Sequence, residues 1–98
     1  MELPFKTEKR VLEWQKIGDK YLVIYDYMAF PKDAPARNLF AYTENGDFLW
    51  QAEPFSSMNT DASVNFLSEN PLVVGNFAGY DITYDIETGK VLSTKFTK

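Results

Sequence analysis

The regular recurrence of turn signals narrows the possible folds of this chain more than any other feature. Gly18-Asp19, Glu44-Asn45-Gly46-Asp47, Ser68-Glu69-Asn70-Pro71, Ala78-Gly79 and Glu87-Thr88-Gly89 punctuate a chain of 98 residues, and the runs between them are too short for ordinary helices. Those runs are Arg10–Ile17, Tyr21–Met28, Asn38–Thr43, Phe48–Glu53, Ser63–Leu67, Leu72–Phe77, Tyr80–Ile86 and Lys90–Thr97. Asn-Gly between two such runs is the strongest short-range hairpin signal, because both residues tolerate the positive φ that a tight turn demands. Eight strands joined mostly by tight turns predict an all-β fold: a single antiparallel meander, curled into a half-barrel or a small barrel or sandwich, in one domain spanning residues 1–98.

Side-chain parity supports strands. In Tyr80–Asp85 the apolar Tyr80, Ile82 and Tyr84 alternate with Asp81, Thr83 and Asp85, giving one dry face and one wet face. Phe40 and Tyr42 share a face, as do Phe48, Trp50 and Ala52. The run Tyr21–Tyr27 is apolar on both faces and reads as a central strand. Only Thr7–Lys16 carries a weak helical stripe, and the parity of Trp14 and Ile17 before the Gly18-Asp19 turn favours a strand there too. Pro31 and Pro35 mark a loop at Phe30–Ala36.

A domain this small buries about 60–65% of the surface its unfolded chain exposes, so it needs dense apolar side chains. It has them, being 16% aromatic. Tyr21, Tyr25, Tyr27, Phe40, Tyr42, Phe48, Trp50, Phe66, Phe77, Tyr80, Tyr84 and Phe96 fall within strands and are expected in the core. Phe30, Phe55 and Met58 fall in loops and are expected at the surface. Aligning Gly46 with Gly89, an offset of 43, also matches Leu39 with Ile82, Glu44 with Glu87 and Leu49 with Leu92. The stretch Tyr84–Leu92 is similar to the hairpins of bacterial quinoprotein-type propellers. Closure of a propeller takes four or more blades, however, and the chain holds material for two, so the repeat reads as hairpin chemistry, with Asp85 capping its turn.

The chain lacks histidine and cysteine altogether. A Ser-His-Asp triad, a Cys-His nucleophile, a thiolate or imidazole zinc site and a disulfide framework are therefore excluded. There is no Gly-rich phosphate loop, no calcium-loop spacing and no apolar stretch of membrane-spanning length. The expectation is a non-enzyme with no cofactor and no metal. No uninterrupted apolar run of signal-peptide length stands at the N-terminus, which points to a cytoplasmic protein.

The net charge of −4 conceals a steeper distribution. Met1–Lys20 carries +1 and Lys90–Lys98 carries +3, while Tyr21–Gly89 sets ten acids against Lys32 and Arg37 for −8. Such a stretch repels nucleic acid and anionic lipid and attracts cationic partners. Asp33, Glu44, Asp47, Glu53, Asp61, Glu69, Asp81, Asp85 and Glu87 form the candidate partner-binding pool, from which only some can share a face.

Arg37–Tyr42, the turn Glu44-Asn45-Gly46, Leu49-Trp50-Gln51, Glu53-Pro54, Gly79-Tyr80 and Asp85–Leu92 resemble a group of small bacterial proteins. More loosely, the whole chain resembles the immunity proteins of contact-dependent growth inhibition and related polymorphic toxin systems. That resemblance implies a heterodimeric inhibitor whose acidic face covers the active site of a basic, nuclease-type toxin, with no binding of nucleic acid or membrane. Immunity proteins vary too widely for residue roles to be carried over. Two further readings stand beside it, a small-molecule-binding half-barrel and an adaptor subunit that lends an open sheet edge to a partner.

Overall fold

A computed structural model describes residues 3–97, so Glu2 and Lys98 of the charge count lie outside the described residues. The strands are β1 (Val11–Ile17), β2 (Lys20–Tyr25), β3 (Leu39–Thr43), β4 (Phe48–Gln51), β5 (Ser63–Ser68), β6 (Leu72–Asn76), β7 (Tyr80–Tyr84) and β8 (Val91–Phe96). All pair antiparallel with their sequence neighbours, but in two four-stranded sheets, β1-β2-β3-β4 and β5-β6-β7-β8. The expected single meander is thus two, stacked as an open sandwich rather than closed into a barrel. The break falls at Pro54–Thr60, where a proline opens a polar loop that sends the chain across to the second sheet.

The core lies between the sheets. Leu22, Ile24, Leu39, Ala41, Trp50 and Ala52 from the first meet Leu72, Val74, Ile82 and Tyr84 from the second. Register puts these on single faces, with Leu22 opposite Ala41 and Val74 opposite Ile82. Trp50 locks the layers together by donating its indole N–H to the Ile86 carbonyl at 3.0 Å. The indole ring lies on Gly89, whose φ of +77° no β-branched residue would adopt without strain. At the opposite end Asn38, 1% exposed, donates to the Tyr25 and Ser63 carbonyls at 2.7 and 2.8 Å and accepts from the Ser63 N–H at 2.8 Å.

β2 is central, as its composition implies, and it is buried on both faces. Its second face is covered by the N-terminal segment. Phe5 packs on Tyr21 and Tyr42 with ring centroids 5.7 and 5.0 Å apart, and Trp14, Tyr25 and Phe40 complete an aromatic layer outside the sandwich. The Tyr25 and Tyr42 hydroxyls share a 2.6 Å hydrogen bond within it. Burial raises the Tyr42 hydroxyl above its usual range, and that hydrogen bond adds to the effect.

Several aromatic expectations need correction. Phe48 does not share the face of Trp50, because a bulge between Ala41 and Tyr42 sets Trp50 opposite Ala41 but Phe48 opposite Tyr42. Phe48 therefore joins the outer aromatic layer and stays 60% exposed. Phe77 sits past the end of β6 and Phe96 lies on the edge strand β8, so both are exposed rather than core. Phe55 is the reverse case, half-buried against Tyr80 at 4.9 Å. The offset of 43 corresponds to the second hairpin of each sheet, where Gly46 and Gly89 both take positive φ, at +89° and +77°. Asp85 caps its turn as expected, accepting from the Glu87 N–H at 2.9 Å.

Candidate functional site

Alternation within an antiparallel meander sends the β1–β2 and β3–β4 turns to one end of the first sheet, and the β5–β6 and β7–β8 turns to one end of the second. The two ends coincide. A groove of about 570 Å³ runs between them, floored by Ile17, Leu72, Ile86 and Leu92 and rimmed by Asp19, Glu69, Asp85 and Glu87. Its lining thus sets four carboxylates against a single cation, Lys20.

Lys20 is already engaged. Its ammonium lies 3.2 Å from Asp19 Oδ1 and 3.1 Å from Glu87 Oε2, with 14% of its side chain exposed. Its hydrogen bonds to Glu87 and then Asp19 raise the Lys20 ammonium above its ordinary range, and the same contact holds the Asp19 carboxyl below its own. This triad clasps the β1–β2 turn of one sheet to the β7–β8 turn of the other. Beside it, Glu44 reaches Lys16 at 3.9 Å with both side chains about half exposed, a contact of little energetic weight. Asp47 sits in the same turn with an exposed side chain, its own backbone N–H bonded to Thr43 Oγ1.

Of the nine carboxylates singled out in the sequence, five gather at this end: Glu44, Asp47, Glu69, Asp85 and Glu87. Glu53 flanks it at the sandwich edge, where Oε1 accepts from the Val91 N–H at 2.7 Å. Asp81 lies on the outer face of the second sheet, directly opposite Lys95. Asp33 is exposed in the loop after β2, at the far end of the molecule.

Asp61 is no surface anchor. It is 5% exposed and accepts from the Phe55 and Ser56 N–H groups, at 2.9 and 3.1 Å, and from Asn76 Nδ2 at 2.9 Å. A buried carboxylate with this many donors holds a loop in place, here fastening 54–62 to β6. Burial pushes its carboxyl above the usual range, and the hydrogen bonds offset only part of that rise. Asp19 and Lys20 lie outside the candidate pool because they stand in the N-terminal stretch of near-zero net charge. The sequence signal for Asp19 is its place in the Gly18-Asp19 turn, and Lys20 follows it as the first residue of β2.

Among the described residues no group of three or more carboxylates is arranged to hold a metal ion. The groove offers fixed negative charge over an apolar floor, an arrangement suited to a lysine or arginine whose methylenes lie on the floor while the cationic head meets the rim. A family model matches residues 4–96, that of a domain of unknown function, DUF7957. The chain belongs to this family. No curated protein and no solved structure matches it. In this DUF7957 member, no helix among the described residues is long and apolar enough to cross a membrane.

Proposed function

We propose that this protein is a small binding module that captures a basic protein partner at its carboxylate-rich turn end, acting as an inhibitor of the immunity type against a cationic, nuclease-type toxin in the cytoplasm. The observation that carries this reading is the groove itself, where turns from both sheets bring four carboxylates around an apolar floor and leave the one lysine neutralised. The −8 balance of Tyr21–Gly89 supports it, since a surface of one sign draws an oppositely charged partner in rapidly and at long range. An inhibitor of this kind needs no catalytic group of its own. It needs a rigid, anionic surface that competes with nucleic-acid phosphate for the toxin's cations.

The test is a pull-down of the tagged chain from its native cells, washed at about 0.1 M and then about 1 M salt, with Glu44→Lys/Glu69→Lys as the comparison chain. Both side chains are exposed and neither belongs to a cap or to the Lys20 triad, so the far-ultraviolet circular dichroism of the variant should match the parent. The expected result is one basic protein near one-to-one with the parent, released by high salt and lost from the variant. An empty lane, or a partner held equally by both chains, would reject the proposal.

A further inference from the structure

We infer that β8 is a self-complementary edge through which two copies of this chain pair, joining their second sheets into one eight-stranded sheet. The other three outermost strands are managed within the chain. β4 has only four residues, carries a bulge and runs into Glu53-Pro54, where the Glu53 N–H donates to the Gly89 carbonyl at 3.0 Å. β1 and β5 lie against each other, and Glu13 Oε1 accepts from the Phe66 N–H at 2.9 Å. Proline, bulges and side-chain caps of this sort keep sheet edges from pairing.

On β8 such cover is confined to the start of the strand, where Glu53 takes the Val91 N–H and the bulge falls at Leu92, and Ser93–Phe96 run on regularly. After Val91, whose N–H is taken by Glu53, the edge runs through Leu92, Ser93, Thr94, Lys95 and Phe96 without glycine or proline. Among the described residues only β7 pairs with it. The Thr97 N–H bonds to the Gly79 carbonyl, so alternation makes Asp81 with Lys95 and Thr83 with Ser93 the hydrogen-bonded pairs. Thr94 and Phe96 therefore turn their N–H and C=O groups away from β7. Leu92 is the unpaired residue of the bulge, and it lines the groove beside Tyr84, on the inter-sheet face that Thr94 and Phe96 share through their partners Ile82 and Tyr80. The first sheet does not cover that face at β8, and Leu92 and Phe96 remain 63% and 57% exposed.

The occupant follows from the order of these residues. In an antiparallel pairing with Thr94 on the two-fold axis, Thr94 meets its own copy and Leu92 of each chain meets Phe96 of the other, twice. On the opposite face Ser93 meets Lys95, so no like charges stand directly opposite, and Lys95 is already beside Asp81. An isologous contact needs one patch complementary to itself, and Leu-x-Thr-x-Phe read in opposite directions provides it.

The test is light scattering behind size exclusion over a dilution series of the full chain, repeated for Thr94→Pro. Proline at 94 deletes only an outward N–H, which edge strands tolerate, so the β7–β8 ladder persists. The parent should rise from 11.3 kDa towards twice that mass with concentration, while the variant stays monomeric. A second variant guards against a folding defect. The chain has no cysteine, so Thr94→Cys supplies a single thiol. In this register the two copies of residue 94 lie about 5.5 Å apart at Cα, within disulfide reach. Thr94→Cys should cross-link under mild oxidation well ahead of Ser93→Cys. A parent that stays monomeric at about 1 mM, a dimer that survives Thr94→Pro, or equal cross-linking at 93 and 94 would each overturn the inference.

Discussion

Replacing Asn38 tests how the two sheets are held at the end away from the groove. Its amide makes three hydrogen bonds of 2.7–2.8 Å, to Tyr25 in the first sheet and to Ser63, N–H and C=O, in the second. Asn38→Leu keeps the branched shape and the number of side-chain heavy atoms and removes all three. The Ser63 N–H and two carbonyls are then left in a site that is 1% exposed in the parent, with no room for water to replace the amide. A stranded buried polar group costs about 1–3 kcal/mol, with the N–H at the high end and carbonyls lower, and the leucine recovers part of this by burying apolar surface. The net loss should be about 3–5 kcal/mol out of a total stability of about 5–15 kcal/mol. With a urea slope of about 1–1.5 kcal/mol per molar for a chain of this length, the midpoint should fall by about 2–5 M. Asn38→Asp adds a check of sign. The carboxylate still accepts from Ser63 but faces two carbonyls, so burial and repulsion raise its folded pKa above the unfolded value of about 3.9. Its protonated form is the one the fold prefers. The deficit relative to the parent should thus be smallest below about pH 4 and should widen as pH rises through the folded pKa. A loss under about 1 kcal/mol for Asn38→Leu, or a pH-independent deficit for Asn38→Asp, would refute the reasoning.

Gly89→Ala should destabilise by about 1–3 kcal/mol, since a Cβ there meets the Trp50 indole at a backbone φ of +77°; urea melts read this, and Gly18→Ala, with the same handedness but open space around it, should cost less. Tyrosine absorbance followed through an alkaline titration should show two hydroxyls ionising late. They are Tyr84, pushed up to about 12 by burial, and Tyr42. Because the folded value is raised, the neutral hydroxyl is the favoured form and its contribution is complete below about pH 10, then lost as pH climbs towards 12. Six tyrosines ionising together near 10 in the folded chain would contradict this.

The hairpins were legible because their signals are local. Asn45-Gly46 and Thr88-Gly89 set positive φ at fixed positions, and the period-two pattern of Tyr80–Asp85 told the dry face from the wet one. The division into two sheets was not legible. Whether β5 adds to β4 or starts a new sheet depends on which face of each meander is left unburied, and that is a tertiary quantity. Bulges defeated parity in the same way: one extra residue at Leu49 moved Phe48 from the expected core face to the outer layer. The strap over residues 3–10 was not legible, because nothing in its alternating charge announces that Phe5 will cover Tyr21 and Tyr42. Of the carboxylates, those in turns could be gathered at one end by topology alone. Asp61 looked like its neighbours, and only burial under Asn76 and the 55–56 backbone shows that it serves the loop.

Among the described residues no backbone ladder joins the two sheets, and the chain passes between them once, through the loop that leads from β4 to β5. The sandwich is in effect a heterodimer whose subunits happen to be covalently joined. Each half consists of two consecutive hairpins with one greasy face, and neither owns a core until the other arrives. The 52–62 crossover then behaves as a tether, presenting each half to the other at an effective concentration on the order of millimolar. Its length, more than its composition, governs how readily the two halves meet.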